Sequence, residues 1–535
     1  MKTLLLAISS FVIASLRSLL RSSTRFAVLA VSFCPALASS LAAKQPNIIL
    51  MMADDMGFSC ISPYGGEIHT PNLQKLADEG LRFTQFYNNA KCTTTRASLL
   101  SGMYPRNSGN AIPPNIATVG EQMRAAGYRT ALCGKWHLGS KAPQRPFDRG
   151  FDEYYGLMDG CCNFFNPAQA DPPFKGGRVR PFGHNDELIT EFSPGYYTTD
   201  AFTDHAIKTI KRFHAEEKPF FLHLAFTCPH YPLHAPPEDI AKYRGKYKAG
   251  WEAMREARYA RQKSMNLWDT MPALSETDSK AYKWEGSNQD WEDLRMATYA
   301  AMVDRMDQNI GRLLKALDEL GIADNTLIMF LSDNGGCTEE PGGRDDTQQP
   351  GIVSTYTAVG PSWGWAQNTP FRRYKSWVNE GGISTPFIVR WPGQVKANTK
   401  TNQIGHIIDI VPTCLEAAGA KPVTESHGEK TASLEGSSLL SVFRGEPRTP
   451  PAELCWEWSG NCAVRHGKWK LVWDTAAKPV KWELYDLEAD RTEMHDLAAE
   501  KPELVKELTD AYTKWAKATG RKLPGETKKK KGGDD

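Results

Sequence analysis

Five apolar runs of four to eight residues punctuate the chain, at Pro46–Met52, Tyr128–Cys133, Phe220–Phe226, Thr326–Leu331 and Pro386–Trp391. Each stops at polar or Gly/Pro residues, as strands buried on both faces of a parallel sheet do. Helical patterns lie between them. The clearest sets Met296, Tyr299, Val303, Met306, Ile310, Leu313, Leu314, Leu317 and Leu320 at three-and-four spacing, closed by Gly321. This alternation predicts an α/β fold, a large, mixed, mostly parallel sheet between helices. In such sheets the working residues gather beyond the carboxyl ends of the strands. From about residue 450 the pattern changes to short strands, Glu453–Trp458, Cys462–Arg465, Lys468–Trp473 and Trp482–Leu487. A helix over 502–518 follows, with Leu504, Leu508, Tyr512 and Trp515 on one face. That predicts a smaller C-terminal α+β domain carrying an antiparallel sheet.

The two ends differ from the body. Residues 1–43 hold Lys2, Arg17, Arg21 and Arg25 and no acid, with two apolar stretches and then the small residues Ala38, Ser39, Ser40, Ala42 and Ala43. This is the pattern of a secretory signal of unusual length, with an uncleaved N-terminal anchor as the alternative. The expected organisation is a signal over 1–43, the main α/β domain over 44–449, the α+β part over 450–520 and a disordered charged tail over 521–535. Export would place the protein in a periplasmic or extracellular setting.

Charge and composition exclude some classes. The 535 residues carry 64 Lys+Arg against 62 Asp+Glu, and losing the signal would leave the remainder two charges negative. That balance speaks against a nucleic-acid binder working through bulk charge. No apolar run in the body is long enough to span a membrane. Eleven cysteines in so long a chain are no disulfide scaffold, although Cys455 and Cys462 flank a predicted hairpin and could pair across it. The Trp-rich segment Tyr243–Asp293 either roofs a cleft and stacks on sugar or aryl rings, or packs itself onto the body. Trp363 and Trp365 add to the aromatic composition that suits a saccharide.

Three clusters carry chemistry. Asp54-Asp55 follows the first strand, and Asp333-Asn334-Gly335-Gly336 follows the strand that starts at Thr326. Together they offer four hard oxygen ligands, which suit Ca²⁺ or Mg²⁺ rather than zinc. Ca²⁺ is favoured where side chains fill the shell, because Mg²⁺ keeps its waters. Either pair alone is also a common turn sequence. In the third cluster, Ala90-Lys91-Cys92-Thr93-Thr94-Thr95-Arg96, a cysteine stands just ahead of a predicted helix start, with Thr93–Thr95 as candidate caps. A helix N-terminus favours an anion, and Arg96 adds a cation one turn on.

The run from Cys92 to Gly102 resembles the signature of the type I sulfatases, in which the cysteine is oxidised to formylglycine and its hydrate is the nucleophile. Pro46–Gly57 resembles the family's first metal motif and Gly134-Lys135-Trp136-His137-Leu138-Gly139 its second signature. Pro229–Pro236 is similar to its leaving-group histidine segment, and Asn368–Lys375 with Glu380-Gly381-Gly382 to its late lysine segment. The family's usual proline is Thr94 here.

The resemblance implies a sulfuric ester hydrolase with one Ca²⁺ held by Asp54, Asp55, Asp333, Asn334 and the modified Cys92. It gives Lys135 and Lys375 the sulfate oxygens, Arg96 the orientation of the hydrate, His137 the role of base and His230, with a pKa near neutrality, that of acid. Lys135 and His137 would project to one side of an extended segment. The implied partners are a sulfated small molecule or saccharide and a formylglycine-generating enzyme during maturation. A phosphonate or phosphate ester hydrolase of the same superfamily and an inactive sulfated-glycan binder are the alternatives, the second if Cys92 stays a thiol. His223 reads as a core histidine, His234 as structural, and His406 and Asp409 as residues at a helix start.

Overall fold

The computed structural model describes residues 45–106 and 111–526. The signal expected over 1–43 and the Lys528–Asp535 end of the charged tail lie outside the described residues. Among these, one sheet is built, in chain order, from β1 (Asn47–Ala53), β2 (Leu81–Phe83), β3 (Arg129–Gly134), β4 (Glu153–Leu157), β5 (Phe182–His184), β6 (Glu187–Leu188), β7 (Phe220–Ala225), β8 (Thr326–Ser332), β9 (Phe387–Arg390) and β10 (Thr399–Thr401). Their spatial order is β10-β2-β9-β8-β1-β7-β3-β4-β5-β6.

The centre of this sheet explains the unbroken apolar runs. On β1, Ile49, Met51 and Ala53 enter one hydrophobic core while Ile48, Leu50 and Met52 enter the other, all fully buried. With both faces covered, polar alternation would strand unpaired groups, so the strand has none. Helix α1 (Cys92–Ser101) brings Leu99 and Leu100 to the second core. Helix α2 (Thr198–Ala215) brings Phe202, Ile210 and Phe213 to the first. Helix α3 (Gln289–Glu319) lays Met296, Val303, Met306 and Ile310 on that same first core. The Asn288 side chain accepts a hydrogen bond from Trp291 N at its start, and Gly321 with φ 66° follows its end.

One strand departs from expectation. The run at 386–391 is antiparallel, not parallel, to its neighbours β8 and β2. The chain leaves β8 at the carboxyl end of the sheet, and β9 starts from that end, so it must run back down.

The C-terminal strands are β11 (Leu454–Trp458), β12 (Asn461–His466), β13 (Trp469–Trp473) and β14 (Trp482–Asp486), an antiparallel sheet in sequence order, and helix α4 (Pro502–Thr519) follows. Alternation is clean here. Cys455, Cys462, Val464, Leu471 and Leu484 meet Leu508, Tyr512 and Ala516 of α4, and the opposite face sets Trp456, Ala463, Val472 and Tyr485 against Tyr87, Val378 and Ile383 of the main body. Arg521 pairs with Glu457 at 2.8 Å, and the Tyr512 hydroxyl donates to Lys522 O.

The hairpin disulfide does not form. The ten described cysteines are all free and buried, and the register sets Cys462 opposite Glu457 and Cys455 opposite Val464, two residues out of step. The tryptophans of 243–293 pack rather than roof a cleft. Trp251 is buried and meets Trp284 and Trp363 edge-to-face at 4.8 and 5.5 Å. Trp363 and Trp365 are fully buried, so neither is available to a saccharide. His223 is a core residue whose Nδ1 bonds Leu50 O, and His234 is tied to Phe164 N and Thr355 O. His406 accepts from Ile408 N while its own N–H donates to Asp409, a capping pair at a helix start.

A buried ion cluster fastens the small sheet to the body. Lys470, on β13 and fully buried, lies 2.9 Å from Glu380 and 2.7 Å from Glu493, and Arg491 reaches Glu380 at 2.7 Å. Removing one partner of such a cluster leaves an uncompensated buried charge, worth about 3–5 kcal/mol. Lys470→Ala is therefore expected to lower the unfolding free energy by that amount and the urea midpoint with it, while Lys506→Ala, which removes an exposed pair with Asp510, leaves the midpoint in place. Equal midpoints for the two variants would show that the cluster does not fasten the sheet.

Candidate active site

Four neighbouring parallel strands stop level with one another. Across β8-β1-β7-β3, Ser332 pairs with Ala53, Met52 with Ala225, and Ala225 with Gly134. The next residues of each chain segment therefore meet: Asp333 and Asn334, Asp54 and Asp55, the loop to His230, and Lys135. Backbone bonds hold them there, from Asp333 N to Ala53 O at 3.1 Å, Asp54 N to Cys228 O at 3.0 Å and Lys135 N to Ala225 O at 2.8 Å. Gly335 is required by a close approach, since a Cβ there would lie 1.9 Å from Gly381 O. That contact seats the loop carrying Lys375 against the tip of β8.

The acidic residues are fully or almost fully buried. Asp54 Oδ2 lies 2.7 Å from Lys135 Nζ, and Asp55 Oδ2 lies 2.8 Å from Lys375 Nζ and 3.3 Å from His230 Nε2. Asp333 accepts from Asp55 N at 3.0 Å and from Arg96 at 2.9 Å. Asn334 Nδ2 donates to Asp55 Oδ1 at 2.7 Å. Burial, then the charge of Asp333, pushes the Asp54 carboxyl well above its ordinary range although Lys135 and Arg96 pull the other way. Burial opposes the Asp55 carboxylate too, but Lys375, His230 and the Asn334 hydrogen bond together outweigh it and hold that group low.

Two buried oxygens here, Asp54 Oδ1 and Asn334 Oδ1, have no hydrogen-bond partner. Ligand atoms of Asp54, Asp55 and His230 lie within 4.8 Å of one another. Orphaned oxygens in a crowded carboxylate cluster fit a divalent cation, whose charge relieves the repulsion and whose shell takes the free lone pairs.

Cys92 opens α1 as its first helical residue, with Lys91 in the cap position and no side-chain cap. Thr93–Thr95 are thus inside the first turn rather than ahead of it. Their hydroxyls serve the incoming loop instead: Thr94 donates to Asn89 O, and Thr95 accepts from Asn89 N. An amide in this first turn has no intrahelical partner to lose, so Thr94 stands where a proline would fit equally. Burial raises the Cys92 thiol above its ordinary value despite Lys135, Lys375 and Lys91, so as a thiol it is not an activated nucleophile.

His137 reaches Cys92, with Nδ1 at 3.6 Å from Sγ. It does so by a turn and not along an extended segment: His137 has φ 59°. A Cβ on Gly160 would come within 2.8 Å of the His137 ring, so a glycine there makes its room. Burial and then Lys135 push the His137 imidazolium well down, leaving the ring neutral. The fully buried Arg96 donates to Asp333 and to Lys135 O at 2.9 Å each, so it steadies the acidic cluster.

His230 Nδ1 donates to Tyr231 O at 2.7 Å, which turns Nε2 toward Asp55. Its pKa is not near neutrality as the sequence suggests. Burial pushes it down to about 3. The sequence also misses Glu339, which accepts from Lys91 at 2.8 Å and Tyr231 at 2.7 Å and lies 3.4 Å from Lys375. No spacing marks it, because all its partners come from distant segments. A 710 Å³ cleft lined by Thr93, Thr94, Trp458, Trp473 and Arg521 borders α1 without including the acidic residues.

The family model described as Sulfatase matches residues 46–420, and one described as N-sulphoglucosamine sulphohydrolase, C-terminal, matches 371–517. An arylsulfatase of Klebsiella aerogenes is 31% identical over 77% of this chain and 95% of its own. An uncharacterized sulfatase of Schizosaccharomyces pombe is 31% identical over 89% of this chain and 94% of its own. Among solved structures, Ps i-CgsB in complex with k-i-k-neocarrahexaose matches with a TM-score of 0.66 and 27% identity, over 90% of this chain and 95% of that one.

Cation binding by the folded state raises its melting temperature by mass action. Adding Ca²⁺ or Mg²⁺ to chelator-treated protein is expected to produce a saturable rise, and Asp54→Asn to need at least about tenfold more cation for the same rise. An equal response in wild type and variant would remove Asp54 from the cation's shell.

Proposed function

The chain belongs to the sulfatase family and is an enzyme of it, and from that premise we propose that it hydrolyses a sulfate monoester, of an aryl alcohol or a carbohydrate, at residue 92 beside a Ca²⁺. The observation that carries this reading is the convergence of Cys92, His137, Lys135 and Lys375 on the hollow that holds Asp54, Asp55 and Asp333.

Asp54, Asp55, Asp333 and Asn334 would hold the cation, which supplies charge against the sulfate oxygens and acidifies a bound hydroxyl. A shell filled by protein side chains favours Ca²⁺ over Mg²⁺, which keeps several of its waters. Formylglycine at residue 92 supplies an oxygen nucleophile in place of the protonated thiol. The three carboxylates face three cationic side chains, Arg96, Lys135 and Lys375, so a divalent cation leaves the hollow positive and ready for an anion. Lys135 and Lys375 are then free to turn from Asp54 and Asp55 toward the ester. Once on the ester and away from water, their charge needs little further reorganisation as the transition state forms.

His137 is neutral and next to residue 92, so Nδ1 is placed to take its proton. His230 keeps Nδ1–H on the Tyr231 carbonyl, so the proton it gives to the leaving oxygen comes from Nε2. The negative charge of a bound ester opposes the burial that otherwise disfavours that imidazolium.

A saccharide substrate is supported by the oligosaccharide complex of Ps i-CgsB and by the cleft where Trp458 and Trp473 flank α1. Export through the segment 1–43 and maturation by a formylglycine-generating enzyme complete the reading. Among the described residues, no helix is long and apolar enough to cross a membrane.

Protein from its natural host tests this. Mass spectrometry is expected to find an aldehyde at residue 92. Turnover of an aryl sulfate is expected to exceed that of the matched phosphate monoester and phosphodiester by at least about tenfold in kcat/KM. Faster phosphoryl transfer would make this a phosphate or phosphonate ester hydrolase, and a residue 92 that is thiol throughout would leave only a binder of sulfated ligands.

A further inference from the structure

A second cluster of metal-ligating side chains lies away from the acidic hollow, at the other end of β4. Glu153 is the first residue of β4, whereas Leu157 at its last position accepts from Trp136 N beside the catalytic segment. The separation is about 13 Å along the strand. His184 ends β5, and His205 stands on α2. Both imidazoles turn Nε2 onto one oxygen, Glu153 Oε1, at 2.9 Å from His184 and 2.6 Å from His205. The three ligand atoms lie within 4.8 Å of one another.

We propose that Glu153, His184 and His205 form a second metal site, for a divalent transition ion of the zinc type, which clamps the edge hairpin β5–β6 to helix α2. The donor chemistry is unlike that of the acidic hollow. Two imidazoles and one carboxylate suit zinc, while Ca²⁺ takes oxygen donors. Tetrahedral ligand atoms at zinc distances stand about 3.3 Å apart. The observed 2.6 and 2.9 Å separations need to open by about 0.7 and 0.4 Å to admit the ion.

The surroundings are those of a supported site. Arg212 takes the other carboxylate oxygen, Glu153 Oε2, at 2.6 Å, which leaves Oε1 for the ion. The His205 ring stacks on Tyr155 with centroids 4.6 Å apart and planes at 10°, fixing its direction. Such outer contacts orient ligands and raise their affinity. The carboxylate is 6% exposed and His205 16%, while His184 is 45% exposed, so one side stays open for a water as fourth ligand.

The full-length protein, stripped with a chelator and saturated with Ca²⁺, is titrated with Zn²⁺ against a chromophoric competitor, and its melting temperature is followed. One Zn²⁺ per chain is expected to bind and to raise the melting temperature. His184→Gln, on a half-exposed side chain, and His205→Gln are each expected to weaken binding by at least about tenfold and to abolish the rise. Asp55→Asn is expected to leave both readouts unchanged, which separates this site from the acidic one and keeps the outcome independent of sulfatase activity. Absence of Zn²⁺ binding, or binding that persists undiminished in both histidine variants, would reduce the cluster to imidazole and guanidinium donors around a buried carboxylate and overturn the proposal.

Discussion

Carboxylates that end adjacent parallel strands in register are forced toward one another, and the rest of this molecule follows from that crowding. Asp54 and Asp333 extend β1 and β8 from paired positions, and Asp55 is drawn in beside them by Asn334 and by its own backbone N–H, which donates to the Asp333 carboxylate. Three carboxyl groups in a hollow closed to water cannot all ionise unaided. The chain answers with Arg96, Lys135 and Lys375, each supplied by a different segment. Yet Asp54 Oδ1 and Asn334 Oδ1 remain without donors. A set that is charge-balanced without a cation, and still short of donors, becomes an anion receptor once a cation is added. That is the electrostatic state a sulfate ester needs.

The remainder of the fold keeps those strand tips and loops in place. The loop carrying Lys375 is pinned by Gly335 against Gly381, and the Glu380 beside it is the centre of the buried cluster with Lys470 and Arg491. Arg372 and Arg373 of the same loop reach Asp474 just after β13. The small sheet therefore supports the lysine, besides bordering the cleft with Trp458 and Trp473. At the far edge, the Glu153–His184–His205 cluster sits where the sheet is thinnest in partners and where a clamp has most to hold.

Much of the frame was legible in the sequence because it rests on periodicity. Continuous apolar runs mark strands buried on both faces, and the three-and-four spacing through Leu320 marks the end of α3 to within one residue, while the helix starts seven residues before Met296, at Gln289. The acidic pairs, Cys92, Lys135, His137, His230 and Lys375 stand in short motifs, so the sequence offers them as candidates. What periodicity cannot carry is direction and partnership. The antiparallel sense of β9 depends on where the chain travels between 333 and 385, and the fate of Trp363 and Trp365 depends on what packs over them. Glu339 and the Glu153 cluster draw their partners from segments dozens of residues apart, and no local pattern announces them. The low pKa of His230 reflects burial that only the folded surroundings impose.

The central claim is that one cation sits between the tips of β1 and β8 and beside the side chain of residue 92. A crystal structure of protein from its natural host, grown with saturating Ca²⁺, measures this directly. The account predicts a single ion at about 2.3–2.6 Å from oxygens of Asp54, Asp55, Asp333 and Asn334, with an oxygen of a modified residue 92 in contact. An ion held by only one strand tip, or an intact thiol at residue 92 with no ion nearby, would contradict it.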